Sequence, residues 1–335
     1  MEYKHKIGII VTWFGKLPPY FDAWLLSAEY NKSVDFLVFT DCNVVSDSPN
    51  IIVYKTTLQE TLKNFEEKLG RKIRIENSYK FCDCRAFFGI TYADYLQDYD
   101  FWGYCDIDLV FGNLRKFLTD ELLDKYDRFY QYGHLSIFRN TEKINHLYDL
   151  PGGIYSYKEI FEGKAKTTPE EHFGINRICD LNHIRWYANA DFADFAIKYP
   201  NRLEVKHGLK NYDTQVFIWD NGEAYRQYKD ETGSWKRQSF VYMHWQKRKP
   251  VIEGNVADGK MIITANKIVV IPEDLEINEA ICKQYNPQIS KQDRDNCKKA
   301  YTKKKLHEFL KADAATKKMW IRQKRYSLTT KRSYL

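Results

Sequence analysis

Short apolar runs alternate with amphipathic segments over the N-terminal third of the chain. Residues 6–13, 34–40 and 51–54 are apolar and rich in β-branched side chains, which predicts buried strands of a parallel sheet. Residues 20–30 and 58–69 separate these runs and are predicted to be helices. Because alternation of strand and helix is typical of a doubly wound layer, an α/β fold is expected.

After the N-terminal third, the pattern predicts helices and strands in turn, then mainly strands, and finally helices alone. A helix is predicted over 79–96 and a core strand over 101–105, whereas the pattern after Pro272 is helical and increasingly basic. We therefore expect a Rossmann-type mixed sheet flanked by helices, with a basic helical C-terminal extension. Further strands are predicted at 129–139, at 216–245 around a hairpin turn at Asp220-Asn221-Gly222, and at 260–271.

Charge is unevenly distributed along the chain. The net charge is +7, but from Lys298 to Leu335 there are 13 lysines and arginines against two acidic residues. The tail therefore carries a surplus of 11 positive charges, and the preceding 297 residues sum to −4. Since a protein that binds nucleic acid along its body would not have an acidic body, no nucleic-acid partner is expected.

Neither the cysteines nor the N-terminus indicates export. The seven cysteines are odd in number, and none belongs to a paired CxxC zinc pattern. The first apolar run lacks the architecture of a cleavable signal, and no segment has the roughly 18 uninterrupted apolar residues of a membrane-spanning helix. A reducing, cytoplasmic location is expected.

Asp106 and Asp108 are the most informative polar residues. They follow the strand predicted over 101–105, and residues i and i+2 of an extended segment point to the same side. Two such carboxylates can bind one divalent cation, which stabilises the charge that develops on a diphosphate leaving group. In open α/β sheets, ligands bind beyond the carboxyl ends of the strands, where this pair lies. The alternative is a solvated turn that caps a helix near Asn113, although apolar residues flank the pair on both sides.

A second cluster of candidate ligands follows the apolar run FVYMHW. His244 lies in that run, and Lys247, Arg248 and Lys249 come shortly after it. The imidazole could complete the metal site, and the cations could bind phosphate oxygens. A nitrogen ligand favours Mn²⁺ over Mg²⁺ as the cofactor. The alternative is a histidine at the end of a strand, beside a solvated basic turn.

Six segments carry a family resemblance, namely VTWFGKLPPYF (11–21), FTD (39–41), NSYKFCDCRAFFG (77–89), DFWGYCDIDLVFGNLRKF (100–117), GHLSIFRN (133–140) and YMHWQKRK (242–249). In order and content they resemble the bacterial GT-A-fold glycosyltransferases of capsule and O-antigen gene clusters. The resemblance implies a GT-A catalytic domain over 1–272, with a donor half over about 1–125 and an acceptor half over about 126–272, and an extension over 273–335. It further implies that a hexosyl unit, of galactose type, passes from a UDP-sugar to a saccharide acceptor in surface polysaccharide synthesis.

The resemblance also assigns roles in donor binding. The loop after the first strand would bind the base and ribose, Asp41 would contact the uridine, and Lys247 would contact a phosphate. One of three residues on the 79–96 helix would meet the ribose or diphosphate, although Lys80 and Arg85 could also form an ordinary charged helix face. Asp106 and Asp108 would hold the metal, with His244 as a further ligand. The implied donor-binding set is Thr12, Trp13, Phe14, Gly15, Asp41, Lys80, Asp83, Arg85, Asp106 and Lys247.

An acidic pair before a glycine-containing helix is a further feature of the resemblance, and TPEEHFGIN (168–176) matches it. An inverting transfer needs a carboxylate that takes the proton of the acceptor hydroxyl. Glu171 is the first candidate for this catalytic base and Glu170 the second. The same residues would also make a good helix start, with a threonine N-cap and Pro169 in the first turn.

The basic tail, 298–335, mixes cations with apolar residues at helical spacing, such as Leu306, Phe309 and Leu310. A helix of this kind can lie on an anionic membrane surface. That position would suit a lipid-linked saccharide acceptor and a peripheral location on the inner face of the cell membrane. The alternative is a helical pair that packs on the catalytic domain.

Two other functions are consistent with parts of the sequence. A metal-dependent nucleotidyltransferase or phosphohydrolase also uses paired aspartates, but such enzymes usually carry a glycine-rich phosphate loop, and the chain contains neither GxxxxGKS/T nor GxGxxG. A non-catalytic carbohydrate-binding protein would use its tyrosines, of which there are 25, as a platform for sugars.

Overall fold

The computed structural model describes residues 3–75 and 78–329, and the last six residues of the basic tail lie outside this range, as do positions 76 and 77. Strands and helices of the N-terminal third form where the apolar runs predict them. Thr57 and Glu60 make a reciprocal capping box at the start of the second helix, and Gly70 ends it at φ 59°. The elements are β1 (Ile7–Trp13), α1 (Phe21–Glu29), β2 (Val34–Thr40), β3 (Ile51–Lys55) and α2 (Leu58–Leu69).

The prediction of a continuous helix over 79–96 is wrong, because short helical and 3₁₀ turns make up this segment. It consists of α3 (Ser78–Phe81), a 3₁₀ turn (Cys82–Phe87), α4 (Phe88–Thr91) and a second 3₁₀ turn (Ala93–Tyr95). Apolar residues of this segment are buried in the core, and its Asp83 and Arg85 make buried polar contacts with distant segments. These tertiary contacts override the helical periodicity, which is a common reason for 3₁₀ geometry.

A seven-stranded mixed sheet forms the centre of the molecule, in the order β3-β2-β1-β4-β7-β6-β8. β1 pairs in parallel with β2 and β4, and β7 pairs antiparallel with β4. Side chains of β1 alternate between two cores, with Ile9 in one and Ile10 in the other, so the sheet is buried on both faces. The added strands are β4 (Phe101–Cys105), β6 (Arg128–Phe129), β7 (Leu135–Arg139) and β8 (Trp186–Tyr187).

Two further sheets complete the α/β body. The three-stranded sheet β5-β13-β9 consists of β5 (Leu109–Phe111), β9 (Ala193–Asp194) and β13 (Tyr242–His244). A six-stranded sheet has the order β12-β11-β10-β15-β16-β14, and the predicted hairpin at 220–222 joins two of its strands. Its strands are β10 (Gln215–Asp220), β11 (Glu223–Lys229), β12 (Trp235–Phe240), β14 (Val251–Glu253), β15 (Met261–Ile263) and β16 (Lys267–Val270).

Helices flank the sheets and form the C-terminal extension, so the expected α/β class with a helical extension is confirmed. In the part of the chain that the structure describes, no helix combines the length and apolar character needed to span a membrane. The remaining helices are α5 (Leu114–Phe117), α6 (Asp120–Lys125), α7 (Glu142–Asn145), α8 (Tyr157–Phe161), α9 (Ile175–Leu181), α10 (Glu279–Tyr285), α11 (Lys291–Lys311) and α12 (Ala314–Thr329).

The last helix packs on the body of the protein. Gln323 donates to the Tyr155 hydroxyl at 2.6 Å, and Arg322 pairs with Glu159 at 2.7 Å. Leu306 and Leu310 of α11 remain exposed to solvent. The packing alternative for the tail therefore holds for α12, and membrane contact through the exposed side of α11 stays a prediction.

Candidate active site

A cavity of about 840 Å³ opens where β1 and β4 end. The two strands are neighbours and run in parallel, so their carboxyl ends meet at one edge of the sheet. Most of the residues selected from the sequence line it, namely Thr12, Trp13, Phe14, Arg85, Asp106, Asp108, Glu170, Glu171, His244 and Lys247. Among the described residues of the predicted donor set, Gly15, Asp41, Lys80 and Asp83 are not part of the lining.

Asp106 and Asp108 line the cavity, and Ile107 between them also packs into the hydrophobic core. The backbone on either side is fixed: the Asp106 amide donates to the His134 carbonyl at 2.9 Å, and the Trp245 amide donates to the Asp108 carbonyl at 3.2 Å. The cap of α5 is made by Asn113, whose side chain accepts from the Lys116 amide. The aspartates are therefore not the solvated cap that was the alternative for this segment.

Arg85 holds the first carboxylate in place. Its Nη2 donates to Oδ1 of Asp106 at 2.6 Å, and its Nη1 donates to the Gly133 carbonyl at 2.8 Å. Burial favours the neutral acid, but the positive charges of Arg85 and His244 outweigh it and hold the pKa of Asp106 below its ordinary value. The arginine is itself buried, so it does not belong to an ordinary solvated helix face.

His244 comes from the far end of the sequence but lies next to the aspartates, because β13 pairs with β5 directly after Asp108. Its Nε2 lies 3.3 Å from Oδ1 of Asp108, and its Nδ1 lies 2.9 Å from Oδ1 of Asp194. Burial disfavours the imidazolium, but the two carboxylates outweigh it and raise the pKa of His244 to about 10. The side chain is buried, which is unlike a histidine beside a solvated turn.

The residues at this point fit a divalent cation. Ligand atoms of Asp106, Asp108 and His244 all lie within 4.8 Å of one another, and two carboxylates with one imidazole suit Mn²⁺. His134, Asp194 and His244 are also close enough to one another. In that second group, however, both oxygens of Asp194 already accept hydrogen bonds from other side chains. The first group is therefore the candidate metal site.

Glu170 and Glu171 also line the cavity. Oε1 of Glu171 accepts from the Gly133 amide at 2.8 Å, and the Gly133 carbonyl accepts from Arg85, so this glycine joins the acidic pair to Arg85. Burial raises the pKa of Glu170 to about 8, although Lys166 opposes the shift. At neutral pH Glu170 is therefore protonated. The hydrogen bond to Gly133 fixes the position of the Glu171 side chain in the cavity.

The alternative that this acidic pair starts a helix is wrong. Thr168 has a φ of 51°, and α9 begins only at Ile175. The Ile175 amide donates to the Pro169 carbonyl at 2.8 Å, so residues 169–174 form a closed turn. A Cβ at Gly174 would lie 1.8 Å from that carbonyl oxygen, so the turn requires glycine here.

Lys80 and Asp83 lie beneath the cavity and hold its walls together. The Asp83 carboxylate is fully buried and accepts from Lys80 at 2.9 Å, from the Thr167 amide at 2.8 Å and from the Thr168 amide at 3.1 Å. Lys80 also donates to the carbonyls of Ile160 and Ala165. This buried pair is not a solvated helix face; it ties α3 to the turn that carries the acidic pair.

Gly15 and Asp41 bind each other, with the Gly15 amide donating to Oδ1 of Asp41 at 2.8 Å. Arg248, next to Lys247, donates to the carbonyls of Ala196 and Tyr199 and so fixes the loop on which Lys247 lies. Lys247 itself lines the cavity.

Several residues of the cavity were not expected from the sequence. They come from segments without clear periodicity, and their partners lie far away along the chain. They are Tyr132, Lys166, Asp194, Lys206, His207 and Gln246. The one local signal is the pair Lys206-His207 before Gly208, where polar residues precede a turn.

Fold and site together define an α/β protein with a candidate divalent-metal centre at the carboxyl edge of its central sheet. The chain belongs to a family of unknown function, DUF6625, whose model matches residues 9–272. No curated protein matches the chain.

Several solved structures are similar to parts of the chain at low identity. An active-site mutant of LgtC is 13% identical over 72% of this chain and 90% of that chain, with a TM-score of 0.38. The apo form of the glycosyltransferase GlyE from Streptococcus pneumoniae is 10% identical over 56% of this chain and 46% of that chain, with a TM-score of 0.31. Mouse xyloside xylosyltransferase 1 is 8% identical over 57% of this chain and 88% of that chain, with a TM-score of 0.30.

Proposed function

We propose that the protein is a metal-dependent glycosyltransferase of GT-A type, which moves a hexosyl unit, of galactose type, from a UDP-sugar to a saccharide acceptor in surface polysaccharide synthesis. The observation that carries the proposal is the group Asp106, Asp108 and His244, whose ligand atoms lie within 4.8 Å of one another in the wall of a cavity of about 840 Å³. A cavity of this volume is large enough for a nucleotide-sugar.

The three ligands would hold a divalent cation, Mn²⁺ rather than Mg²⁺, under the diphosphate of the donor. When bound, the cation neutralises charge that develops on the leaving diphosphate. Arg85 keeps the Asp106 carboxylate oriented and ionised. Lys247 lines the same cavity, where its ammonium group would contact a phosphate oxygen.

Donor and acceptor would occupy different walls. Thr12, Trp13 and Phe14 at the end of β1 would bind the base and ribose, because the rings of Trp13 and Phe14 offer a stacking surface at the carboxyl edge of the sheet. Gly15 and Asp41 would shape this loop through their mutual hydrogen bond. In this proposal the donor half covers about 1–125, the acceptor half about 126–272, and the extension 273–335.

Glu171 is the proposed general base of an inverting transfer. Its Oε1 accepts from the Gly133 amide, which fixes the carboxylate while its other oxygen can receive a proton from the acceptor hydroxyl. Glu170, with a pKa raised by burial to about 8, would instead donate a hydrogen bond to a sugar oxygen at neutral pH. Glu170 remains the second candidate for the base, in its ionised form above this pKa.

The extension would bring the enzyme to its acceptor. Leu306 and Leu310 are exposed one turn apart on α11, and lysines surround them. An apolar strip bordered by cations suits the surface of an anionic membrane. We propose a lipid-linked saccharide acceptor and a peripheral position on the inner, cytoplasmic face of the membrane.

Product analysis separates this function from other metal-dependent reactions of nucleotides. The protein is incubated with UDP-galactose and Mn²⁺, with and without a membrane extract that supplies acceptors. Release of UDP, lost in excess chelator and in Asp108→Asn, is expected. Release of UMP or pyrophosphate would indicate a phosphohydrolase or nucleotidyltransferase, and sugar binding without turnover or metal dependence would indicate a binding protein.

A further inference from the structure

The strongest unassigned feature of the cavity is Asp194, a buried carboxylate at the end of β9. Its Oδ1 accepts from Nδ1 of His244 at 2.9 Å and from Nε2 of Gln246 at 2.6 Å. Its Oδ2 accepts from Nε2 of His207 at 2.8 Å and lies 2.6 Å from the ammonium of Lys206. With four donors around it, this carboxylate has a single possible orientation.

Asp194 links two histidines of the cavity lining, one through each of its carboxylate oxygens. The strand pairing places Asp194 directly beside His244, whose other nitrogen lies near Asp108. His207 binds the other oxygen of Asp194, and its Nδ1 is 2.8 Å from the hydroxyl of Tyr132. A continuous chain of contacts therefore runs from Asp108 through Asp194 to Tyr132, which lines the cavity.

Each histidine donates one ring N–H to Asp194. The second ring nitrogen of each histidine is therefore the one that contacts another group. With Nδ1 of His244 bound to Asp194, its Nε2 is the nitrogen that can bind a cation, which would take the place of the Nε2 proton. With Nε2 of His207 bound to Asp194, its Nδ1 can accept the proton of the Tyr132 hydroxyl. This contact fixes the orientation of the Tyr132 hydroxyl, and the Tyr132 side chain lines the cavity.

The backbone supports the idea that this arrangement is maintained for function. His207 and Gln246, two of the donors to Asp194, both have a φ of 58°. Residues with a Cβ rarely adopt this left-handed conformation, and such residues are concentrated at functional sites. In both cases the unusual backbone is combined with a side chain that donates to the same carboxylate.

We propose that Asp194 is a positioning residue for both halves of the reaction: it orients His244 as a metal ligand and, through His207, orients the Tyr132 hydroxyl toward the saccharide acceptor. The inference rests on the proposed function. Loss of Asp194 would disturb both sides, whereas loss of His207 or of the Tyr132 hydroxyl would disturb the acceptor side and leave the metal ligands in place.

Metal affinity tests the first half of the proposal without any turnover. Mn²⁺ binding to the full chain is measured by the EPR signal of the free ion, with folding checked by circular dichroism. Asp194→Asn is expected to weaken Mn²⁺ binding by about 10- to 100-fold, as for other carboxylates that orient a metal-binding histidine. Tyr132→Phe is expected to leave the affinity unchanged, as is the control Asp191→Asn, which removes a carboxylate that interacts with Tyr187 instead.

A second variant covers the case in which Asp194→Asn does not fold. Asp194→Glu keeps the charge but moves the carboxylate by one methylene group, and it should also weaken Mn²⁺ binding. If folded protein of either variant binds Mn²⁺ as wild type does, the positioning role is wrong. If the wild-type protein binds no Mn²⁺, the proposed metal-dependent function is wrong. The role of Asp194 in orienting a metal ligand is then wrong as well.

NMR of the histidine ring nitrogens tests the second half of the proposal, the role of Asp194 toward His207 and Tyr132. It requires no saccharide acceptor. In ¹⁵N-histidine-labelled protein loaded with Mg²⁺, His207→Gln identifies the resonances of His207. Wild type and Tyr132→Phe should both show His207 protonated at Nε2, whereas Asp194→Asn should show a mixture of tautomers. An unchanged His207 tautomer in Asp194→Asn would overturn the acceptor-side role, whatever the outcome of the metal titration.

Discussion

Arg85 donates to Asp106 at 2.6 Å and thereby joins a 3₁₀ turn to the end of the central strand β4. The same guanidinium donates to the Gly133 carbonyl at 2.8 Å, and its plane lies over the ring of Tyr104 with 5.4 Å between the guanidinium carbon and the ring centroid. A planar, two-armed donor is needed for these contacts, and lysine offers neither the plane nor the second arm.

Arg85→Lys is therefore expected to be far from conservative. The charge stays, but the Asp106 carboxylate loses its fixed orientation, so the rate of sugar transfer should fall by about 100-fold, as on loss of other preorganised donors. Steady-state kinetics with UDP-galactose and Mn²⁺ measure the effect. Arg139→Lys is the matched control, because Arg139 pairs with Asp127 at 3.0 Å and does not line the cavity. Equal activity of the two variants would contradict the role of Arg85.

The buried pair of Lys80 and Asp83 should contribute strongly to stability. Asp83→Asn removes the buried carboxylate that pairs with the Lys80 ammonium, so a loss of about 3–5 kcal/mol in the free energy of unfolding is expected in urea denaturation. A double variant, Lys80→Met with Asp83→Asn, removes both charges and should lose less than the sum of the single variants. Strict additivity would show that the two charges do not interact.

The elements and site residues that the sequence predicts correctly are those whose pattern lies in a short stretch of the chain. β1, β2 and β4 were predicted at or near their observed ends, because a buried parallel strand is a continuous apolar run with sharp borders. The pair Asp106 and Asp108 was found for the same reason, since it directly follows such a strand. The segment 78–95 was not predicted correctly, because buried polar contacts of Asp83 and Arg85 override its periodicity.

Asp194 has no role in the prediction from the sequence, whereas its partner His244 is predicted as a metal ligand. Asp194 and His244 are 50 positions apart, and the pairing of β9 with β13 brings them together. β9 is two residues long and lies in a stretch without alternation, so neither the strand nor its acidic residue has a local signature. The turn at Thr168 was missed because a threonine before Pro-Glu-Glu is also a good helix start, and the positive φ is imposed by Asp83 binding the turn amides.

Glu170 should make the protein less stable as pH rises. Its pKa is raised by burial from the ordinary 4.5 to about 8, so between these values the folded protein binds a proton that the unfolded chain has released. The free energy of unfolding therefore falls with increasing pH in this window. Glu170→Gln should remove this dependence and should be more stable than wild type at the alkaline end. Urea denaturation across the window measures it, and parallel curves for the two proteins would contradict the assignment.

Membrane contact through α11 predicts a specific dependence on two exposed leucines. The double variant Leu306→Ser and Leu310→Ser removes the apolar strip while leaving all lysines, so sedimentation with vesicles of anionic lipid should fall by about tenfold or more. Leu181→Ser is the control, because Leu181 is also exposed but lies on α9. If both variants bind the vesicles equally, the lysines alone account for membrane binding. If the wild-type protein does not bind, membrane contact is no longer part of the proposal.

Thermal unfolding with nucleotide-sugars tests the central claim most directly. Wild type and Asp108→Asn are heated with UDP-galactose alone, Mn²⁺ alone, and both together. The account predicts a rise in Tm of roughly 2–5 °C for wild type with both ligands, little with either alone, and none for Asp108→Asn, because the cation joins the carboxylates to the diphosphate. The same stabilisation without Mn²⁺, or in Asp108→Asn, would contradict a metal centre at the end of β4.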